Sequence, residues 1–253
     1  MRGDYVATSF GMVLRELSRK RLVIVLALVL PPIFFAAVVA TAGNRIIPIE
    51  LAGADGAVVS VEERRQSLVF IGVAAAALIA AFFASNLIQQ QVEANRRLVL
   101  CGYRSSELIV ARLLVLLCVI AGTATYTWLI AGVFARELFA PGVLLGMAGG
   151  AFVYGCYGLL AGALFRRDLE SIFAILVLIN IDAGWLQNPI YYATAGSKWL
   201  IEALPAHHAS QVAYLSAFTS HFIGTAMIGV LSYGAAFLAV AIAIYERRMR
   251  VVR

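Results

Sequence analysis

The chain has 253 residues, of which 62% are hydrophobic and 13% are charged, and its mean hydropathy is +0.89. Soluble globular domains carry about 25% charged residues, so this composition excludes a soluble domain and indicates a polytopic membrane protein. The net charge of +6 does not indicate nucleic-acid binding, because the basic residues lie at the ends of apolar runs and are not gathered on one surface.

Six apolar runs are long enough to cross a hydrocarbon layer about 30 Å thick as helices. Segments of about ten residues with alternating polarity, which a membrane β-barrel needs, are absent from the sequence. The fold class predicted is therefore an all-α polytopic membrane protein that forms a single domain over residues 1–253. The predicted spans are 22–42, 67–88, 108–134, 141–165, 169–187 and 222–245.

The distribution of basic residues predicts the orientation of these spans. Of the 20 Lys and Arg residues, 15 lie in the N-terminal segment, in the connections after the second and fourth spans, in the C-terminal tail, or at the start of the third span (Arg112). Because short cytoplasmic loops are enriched in Lys and Arg, both termini are predicted to be cytoplasmic. The chain is expected to be a multi-pass protein of the inner (plasma) membrane.

The connection between the second and third spans, residues 91–104, has the pattern of a short amphipathic helix on the cytoplasmic side. Its apolar side holds Leu98 and Tyr103, and its polar side holds Glu93, Arg96 and Arg97. One interpretation is a helix that lies on lipid headgroups. The other is a docking element for a cytosolic partner, and the residues alone do not separate the two.

The fourth span contains glycines spaced four apart, which allow helix backbones to approach closely in lipid. Packing within one helical bundle and a seam that moves during transport are both compatible with this spacing. The glycines are Gly146, Gly150, Gly158 and Gly162.

The fifth span carries Asn180 and Asp182 and ends at Gln187. Ionisable residues inside a membrane usually face protein or water. These three residues are candidates for the wall of a substrate path. The alternative for Asp182 is a hydrated residue near the outer surface, since it lies about 20 Å along the helix from Leu169.

The outer loop, residues 188–221, is predicted to contain two short helices, Trp199–Leu204 and Ala209–Phe218, broken at Pro205. His207, His208 and His221 are the only histidines of the chain, and neighbouring histidines of this kind are more often polar loop residues than metal ligands. No metal site is predicted.

The order of these features resembles the permease subunits of ABC-2 type transporters. The similarity includes the basic N-terminal segment, the six spans and the pattern after the second span. In that pattern, Glu93 falls on the family's acidic position, Arg96 or Arg97 on its basic position, and Arg112 on the basic residue at the start of the third span. The chain departs from the family at the corner, where Cys101-Gly102 replaces the usual proline.

The resemblance implies that residues 91–104 are a coupling helix that docks into a cytosolic ATPase. It further implies that residues 1–21 form a connecting helix touching the same ATPase through Arg15, Arg19 and Arg21, and that residues 188–221 form a re-entrant helical hairpin. The coupling residues implied are Glu93, Arg96, Arg97, Leu98, Leu100, Gly102, Tyr103 and Arg104.

The chain itself carries no G-x-x-x-x-G-K-[ST] phosphate-binding motif and no catalytic constellation. It is therefore expected not to be an enzyme and to hold no cofactor, with ATP and Mg²⁺ bound by two copies of a separate ATPase. A second permease copy or homologue and membrane lipid are the other partners implied, and the cargo implied is an exported amphipathic drug, lipid or lipid-linked glycan. An ion-gradient-driven transporter and a non-transporting assembly subunit are the alternatives.

Overall fold

The computed structural model describes residues 3–54, 56–89, 103, 105–165, 167–219 and 223–250. A π-helical turn, Asp182–Leu186, continues the helix that precedes it. The elements in chain order are α1 (Gly3–Arg19), α2 (Arg21–Thr41), β1 (Ile46–Leu51), β2 (Ala57–Glu62), α3 (Glu63–Gln89), α4 (Ser105–Phe134), α5 (Pro141–Leu164), α6 (Asp168–Ile181), α7 (Pro189–Thr194), α8 (Lys198–Glu202), α9 (Pro205–Phe218) and α10 (Gly224–Arg250).

Within the described ranges, six helices are long and apolar enough to cross a membrane, namely α2, α3, α4, α5, α10 and α6 with its π-helical turn. This confirms a largely helical, multi-pass membrane protein. The ends of these helices differ from the predicted ones by no more than five residues. The agreement is close because hydrocarbon thickness fixes how long an apolar run must be.

Helices α3 and α5 form the centre of the bundle. In their apolar stretches, 72% and 67% of residues are buried, against 12% in α2 and 17% in α10. Glycines let the two backbones touch: a Cβ atom on Gly158 would meet the carbonyl oxygen of Ala81, and one on Gly162 would lie 2.8 Å from that of Ser85. Gly150 faces Val73 in the same way, so three of the four predicted packing glycines lie against α3.

The fourth, Gly146, faces helix α9. Its Cβ would lie 2.5 Å from the Ala213 side chain, and nearer the start of α5 Gly142 faces Ser216. Residue numbers rise along α9 as they fall along α5, so α9 runs antiparallel to the first half of α5. Helix α9 begins at Pro205, four residues before the predicted start at Ala209. Proline fits the first turn of a helix, so Pro205 starts α9 and does not interrupt it.

Residues 43–66, between the first two predicted spans, contain the antiparallel hairpin β1–β2 and the start of α3. This hairpin departs from the all-helical expectation. Ile49 and Leu51 are fully buried, and the Gly53 amide donates a hydrogen bond of 3.1 Å to Oε1 of Gln211 in α9. Lys198 Nζ lies 2.7 Å from the carboxylate of Glu50, so the hairpin is also tied to α8. We call this side of the bundle the hairpin end.

The opposite side, the terminal end, carries α1, Tyr103 and the last turns of α10. The connecting helix predicted over residues 1–21 is described from Gly3, and it is divided at Lys20 into α1 and the start of α2. Helix α2 contacts the centre of the bundle through Phe35, which is fully buried and faces Gly72. Towards the terminal end α2 is held by Tyr126, whose hydroxyl donates to the Leu28 carbonyl at 2.5 Å.

The contact between α3 and α5 predicts different outcomes for two glycine-to-alanine changes. Gly158→Ala places a methyl group against the backbone of Ala81, which cannot rotate away, so we expect a loss of about 1–3 kcal/mol and a melting temperature several degrees lower in detergent. Gly122→Ala in α4, where nothing lies within 4 Å, should leave the melting temperature unchanged or higher. Equal effects of the two changes would contradict a backbone contact at Gly158.

Candidate functional site

The connection between α3 and α4 is predicted to dock a partner, and most of it lies outside the described residues. This applies to Glu93, Arg96, Arg97, Leu98, Leu100, Gly102 and Arg104. Tyr103 is described, and its ring packs edge-on against Tyr5 of α1 with 4.7 Å between ring centres. The connection and the N-terminal helix therefore meet at the terminal end.

Helix α1 lies against α4 and presents a basic surface away from it. Ser9 and Val13 are buried on its inner side, whereas Arg15 and Arg19 are exposed, as is Arg21 at the start of α2. An amphipathic helix with this distribution is typical of the interface between a membrane and the solution. The three arginines and Tyr103 thus belong to one face of the molecule.

A buried arginine connects two helices at the same end. Arg112, in the second turn of α4, is only 2% exposed; its Nη1 donates to the Tyr245 hydroxyl at 2.9 Å, and its guanidinium lies 5.3 Å from the centre of that ring. Tyr245 belongs to α10. Because a buried guanidinium depends on its partners, the start of α4 and the last turns of α10 are held together.

The second candidate site is a buried polar cluster formed by Tyr154, Asp182, Gln187 and His207. Asp182 is fully buried at the start of the π-helical turn after α6. It accepts hydrogen bonds from the Tyr154 hydroxyl, from Gln187 Nε2 at 2.9 Å and from the Ala206 amide at 2.8 Å. The carboxylate therefore caps the first turn of α9, where the helix dipole also favours an anion.

Gln187 joins this carboxylate to His207. Its Nε2 also donates to the Ile201 carbonyl at 3.2 Å, which leaves Oε1 as the acceptor for Nδ1 of His207 at 3.2 Å. His207 thus carries its proton on Nδ1. Burial, together with neighbouring His208, lowers the pKa of His207 to about 4, so the ring is neutral at pH 7.

The cluster brings two of the three predicted path residues together and separates the third. Asp182 and Gln187 are buried and bonded to each other, whereas Asn180 is exposed and its amide donates to the Leu176 carbonyl at 2.8 Å. The exposed fraction of Asp182 is 0%, so its carboxylate faces protein side chains and backbone in this arrangement. A role for these residues in a substrate path stays a prediction.

The sequence did not reveal Tyr154 as a partner of Asp182, or His207 as a partner of Gln187. The available signal was that a carboxylate in an apolar span needs donors, but their positions depend on how α9 packs against α5. In the described part of the chain, no group of three His, Cys, Asp or Glu side chains could hold a metal ion. The hydrogen bonds of the cluster join α5, the π-helical turn after α6, and α9.

Comparison with family models and with curated proteins gives no match for this chain.

Asp182→Ala should destabilise the protein strongly, because it leaves the Tyr154 hydroxyl, the Gln187 amide and the Ala206 amide without their acceptor. We expect a loss of about 3 kcal/mol and a melting temperature lower by about 6–12 °C in detergent. Asn180→Ala, two residues earlier and exposed, is the matched control and should change the melting temperature little. Similar losses in the two variants would contradict the capping role.

The lowered pKa of His207 predicts a pH-dependent stability. The unfolded chain has the higher histidine pKa, about 6.5, and binds the proton more tightly, so stability is fully present above pH 6.5 and falls as the pH drops towards 5. The expected contribution of His207 between pH 7 and 5 is about 2 kcal/mol.

Melting temperatures of the detergent-solubilised protein between pH 5 and 8 measure this effect. His208, whose pKa is also lowered by burial, adds to the wild-type loss. His207→Gln should flatten the profile more than His208→Gln. An unchanged profile in His207→Gln would show that this ring is not kept neutral by the fold.

Proposed function

We propose that this chain is the membrane-spanning subunit of an ATP-driven exporter similar to the ABC-2 type transporters. In this proposal both termini and residues 91–104 are cytoplasmic, and two copies of a separate ATPase bind there. A second permease subunit completes the membrane path. The cargo class is an amphipathic drug, lipid or lipid-linked glycan, and the chain resides in the inner (plasma) membrane.

The observation that carries the proposal is the contact of Tyr103 with Tyr5. It joins the end of the predicted coupling segment to the predicted connecting helix, as expected if both form one docking surface. The exposed arginines Arg15, Arg19 and Arg21 extend that surface. Basic residues at the same end, among them Arg167, agree with a cytoplasmic location.

The packing supports a route by which force would enter the bundle. The docking segment leaves the end of α3, whose backbone is in close contact with α5, so a push on the segment would move the two central helices together. The segment re-enters the bundle through α4, which the Arg112–Tyr245 contact joins to α10. ATP-driven closure of the ATPases would then displace four of the six spans, namely α3, α5, α4 and α10.

The placement of α9 supports a re-entrant element at the other end. The first turn of α9 contacts Asp182, which also bonds to Tyr154 of α5. His207, in that first turn, therefore lies close to the level of Tyr154. Tyr154 is 13 residues along α5 from Pro141. At 1.5 Å per residue this is about 20 Å from the start of a spanning helix. We propose that α7, α8 and α9 fold back into the outer leaflet and that the hairpin β1–β2 covers them.

The test is affinity purification of the tagged chain from its native membranes in mild detergent. We expect an ATPase with a phosphate-binding loop to copurify at a ratio of one per permease chain. Arg96→Ala combined with Arg97→Ala should lower its recovery by about tenfold or more, because arginines are frequent energetic anchors of interfaces. Arg45→Ala with Arg136→Ala, two exposed arginines at the hairpin end, is the matched control and should retain the ATPase.

Two outcomes would contradict the proposal. One is full recovery of the ATPase by the Arg96 and Arg97 double variant. The other is labelling of Arg97→Cys by a membrane-impermeant maleimide in intact cells, measured in a chain whose Cys101, Cys118 and Cys156 are replaced by Ser. Val58→Cys, in the exposed strand β2, should be labelled under those conditions.

A further inference from the structure

A groove of about 350 Å³ opens between α2, α3 and α6 at the terminal end. Its inner part is apolar, with Leu30, Ile79 and Phe82 among the side chains that line it. Its mouth is polar and includes Asn86, Gln89 and Asp168. The volume is within the range of small-molecule sites, and the polarity changes along the groove in the way that it changes along a lipid molecule.

The groove has the depth of one leaflet. From Ile79 to Gln89 is ten residues of α3, or about 15 Å, which is half of a hydrocarbon layer about 30 Å thick. Gln89 is the last residue of α3 and Asp168 the first of α6, so the mouth lies where these helices leave the apolar region. An acyl chain entering from that surface would reach the end of the groove near the bilayer centre.

Opposite charges lie at the mouth. Lys20 Nζ donates to Oδ1 of Asn86 at 2.8 Å, which places an ammonium group beside the groove. Burial lowers the pKa of Lys20, while the carboxylates of Glu16 and Asp168 act to raise it, so Asp168 lies within electrostatic reach of this lysine. Asp168 is itself exposed at the mouth.

A second groove, on the other side of α2, lacks this pattern. It measures about 320 Å³ between α1, α2, α3 and α4, with Leu17, Ile24 and Val119 among its lining residues. Its hydroxyl groups already donate to helix carbonyls: Ser18 to that of Arg15 at 2.8 Å, Thr123 to that of Val119 at 2.9 Å, and Tyr126 to that of Leu28. No ionisable side chain other than Tyr126 is among the described residues that line it.

We propose that the groove between α2, α3 and α6 binds a phospholipid with a zwitterionic headgroup that ends in a primary ammonium, as in phosphatidylethanolamine. One acyl chain occupies the apolar part, the phosphate accepts from Lys20, and the lipid ammonium donates to Asp168. This site does not depend on the proposed function, since it would exist in a transporter or in an assembly subunit.

Lys20 and Asp168 together would favour one class of lipid headgroup over others. An anionic phosphatidylglycerol offers the phosphate but leaves Asp168 facing a headgroup with no positive charge. A phosphatidylcholine offers the positive charge but has no N–H to donate, so the charge-assisted hydrogen bond to Asp168 is lost. Phosphatidylethanolamine offers both groups: its phosphate accepts from Lys20, and its primary ammonium donates to Asp168.

The experiment is native mass spectrometry of the full chain in detergent, titrated separately with phosphatidylethanolamine, phosphatidylcholine and phosphatidylglycerol carrying the same acyl chains. We expect phosphatidylethanolamine to bind about tenfold more tightly than the other two, as one charge-assisted hydrogen bond would provide. Asp168→Asn should remove that preference. Glu170→Gln, exposed in the same first turn of α6 and not part of the groove, should keep it.

A second pair of variants tests the apolar part. Ile172→Trp fills the groove and should abolish tight binding of all three lipids, whereas Phe173→Trp, at a position 69% exposed on the lipid-facing side, should not. Equal binding of the three lipids by the wild-type chain would overturn the proposal in favour of unselective annular lipid. Preference for phosphatidylglycerol, or an unchanged preference in Asp168→Asn, would overturn it as well.

Discussion

Direct backbone contact between α3 and α5 is the constraint on which the rest of the bundle depends. Lipid tails are as apolar as leucine side chains, so burial of apolar surface does little to hold helices together in a membrane. Close packing has to do so, and it requires residues without side chains at the contact. Gly158 and Gly162 supply them opposite Ala81 and Ser85. Because each glycine faces backbone rather than a side chain that can rotate, this contact fixes the separation of the two helices.

The same face of α5 also determines what lies at the hairpin end. Gly146 admits α9 against the first half of α5, and this buries the start of α9, where the first amides of a helix need an acceptor from outside the helix. Asp182 supplies an acceptor for the Ala206 amide, and the buried carboxylate is in turn stabilised by hydrogen bonds from Tyr154 and Gln187. A charge that looks out of place in the sequence of α6 is therefore explained by the helix that it caps. The π-helical turn that begins at Asp182 sets the carboxylate at the start of α9.

The sequence predicted the six spans well because apolar run length is a local property, and it predicted α9 in part for the same reason. It did not predict the hairpin β1–β2, although Asp55-Gly56 between two segments rich in β-branched residues is a hairpin signal. The predicted all-α fold class left no place for strands, so this signal was not used. Two partners of Asp182 could not be predicted for a different reason: Tyr154 and Ala206 are 28 and 24 residues away in the sequence, and they meet Asp182 because α9 packs against α5.

These contacts divide the bundle into a rigid centre and a peripheral helix. Under the proposed function, movement delivered to the end of α3 would pass directly to α5, since their backbones are in contact. Helix α2 is different: grooves lie on both of its sides, and among the described residues its fully buried anchor is Phe35. Under the proposed function, the centre would therefore move relative to α2. A lipid held between α2, α3 and α6 would fill the space that such movement opens or closes, so lipid occupancy and helix position would each influence the other.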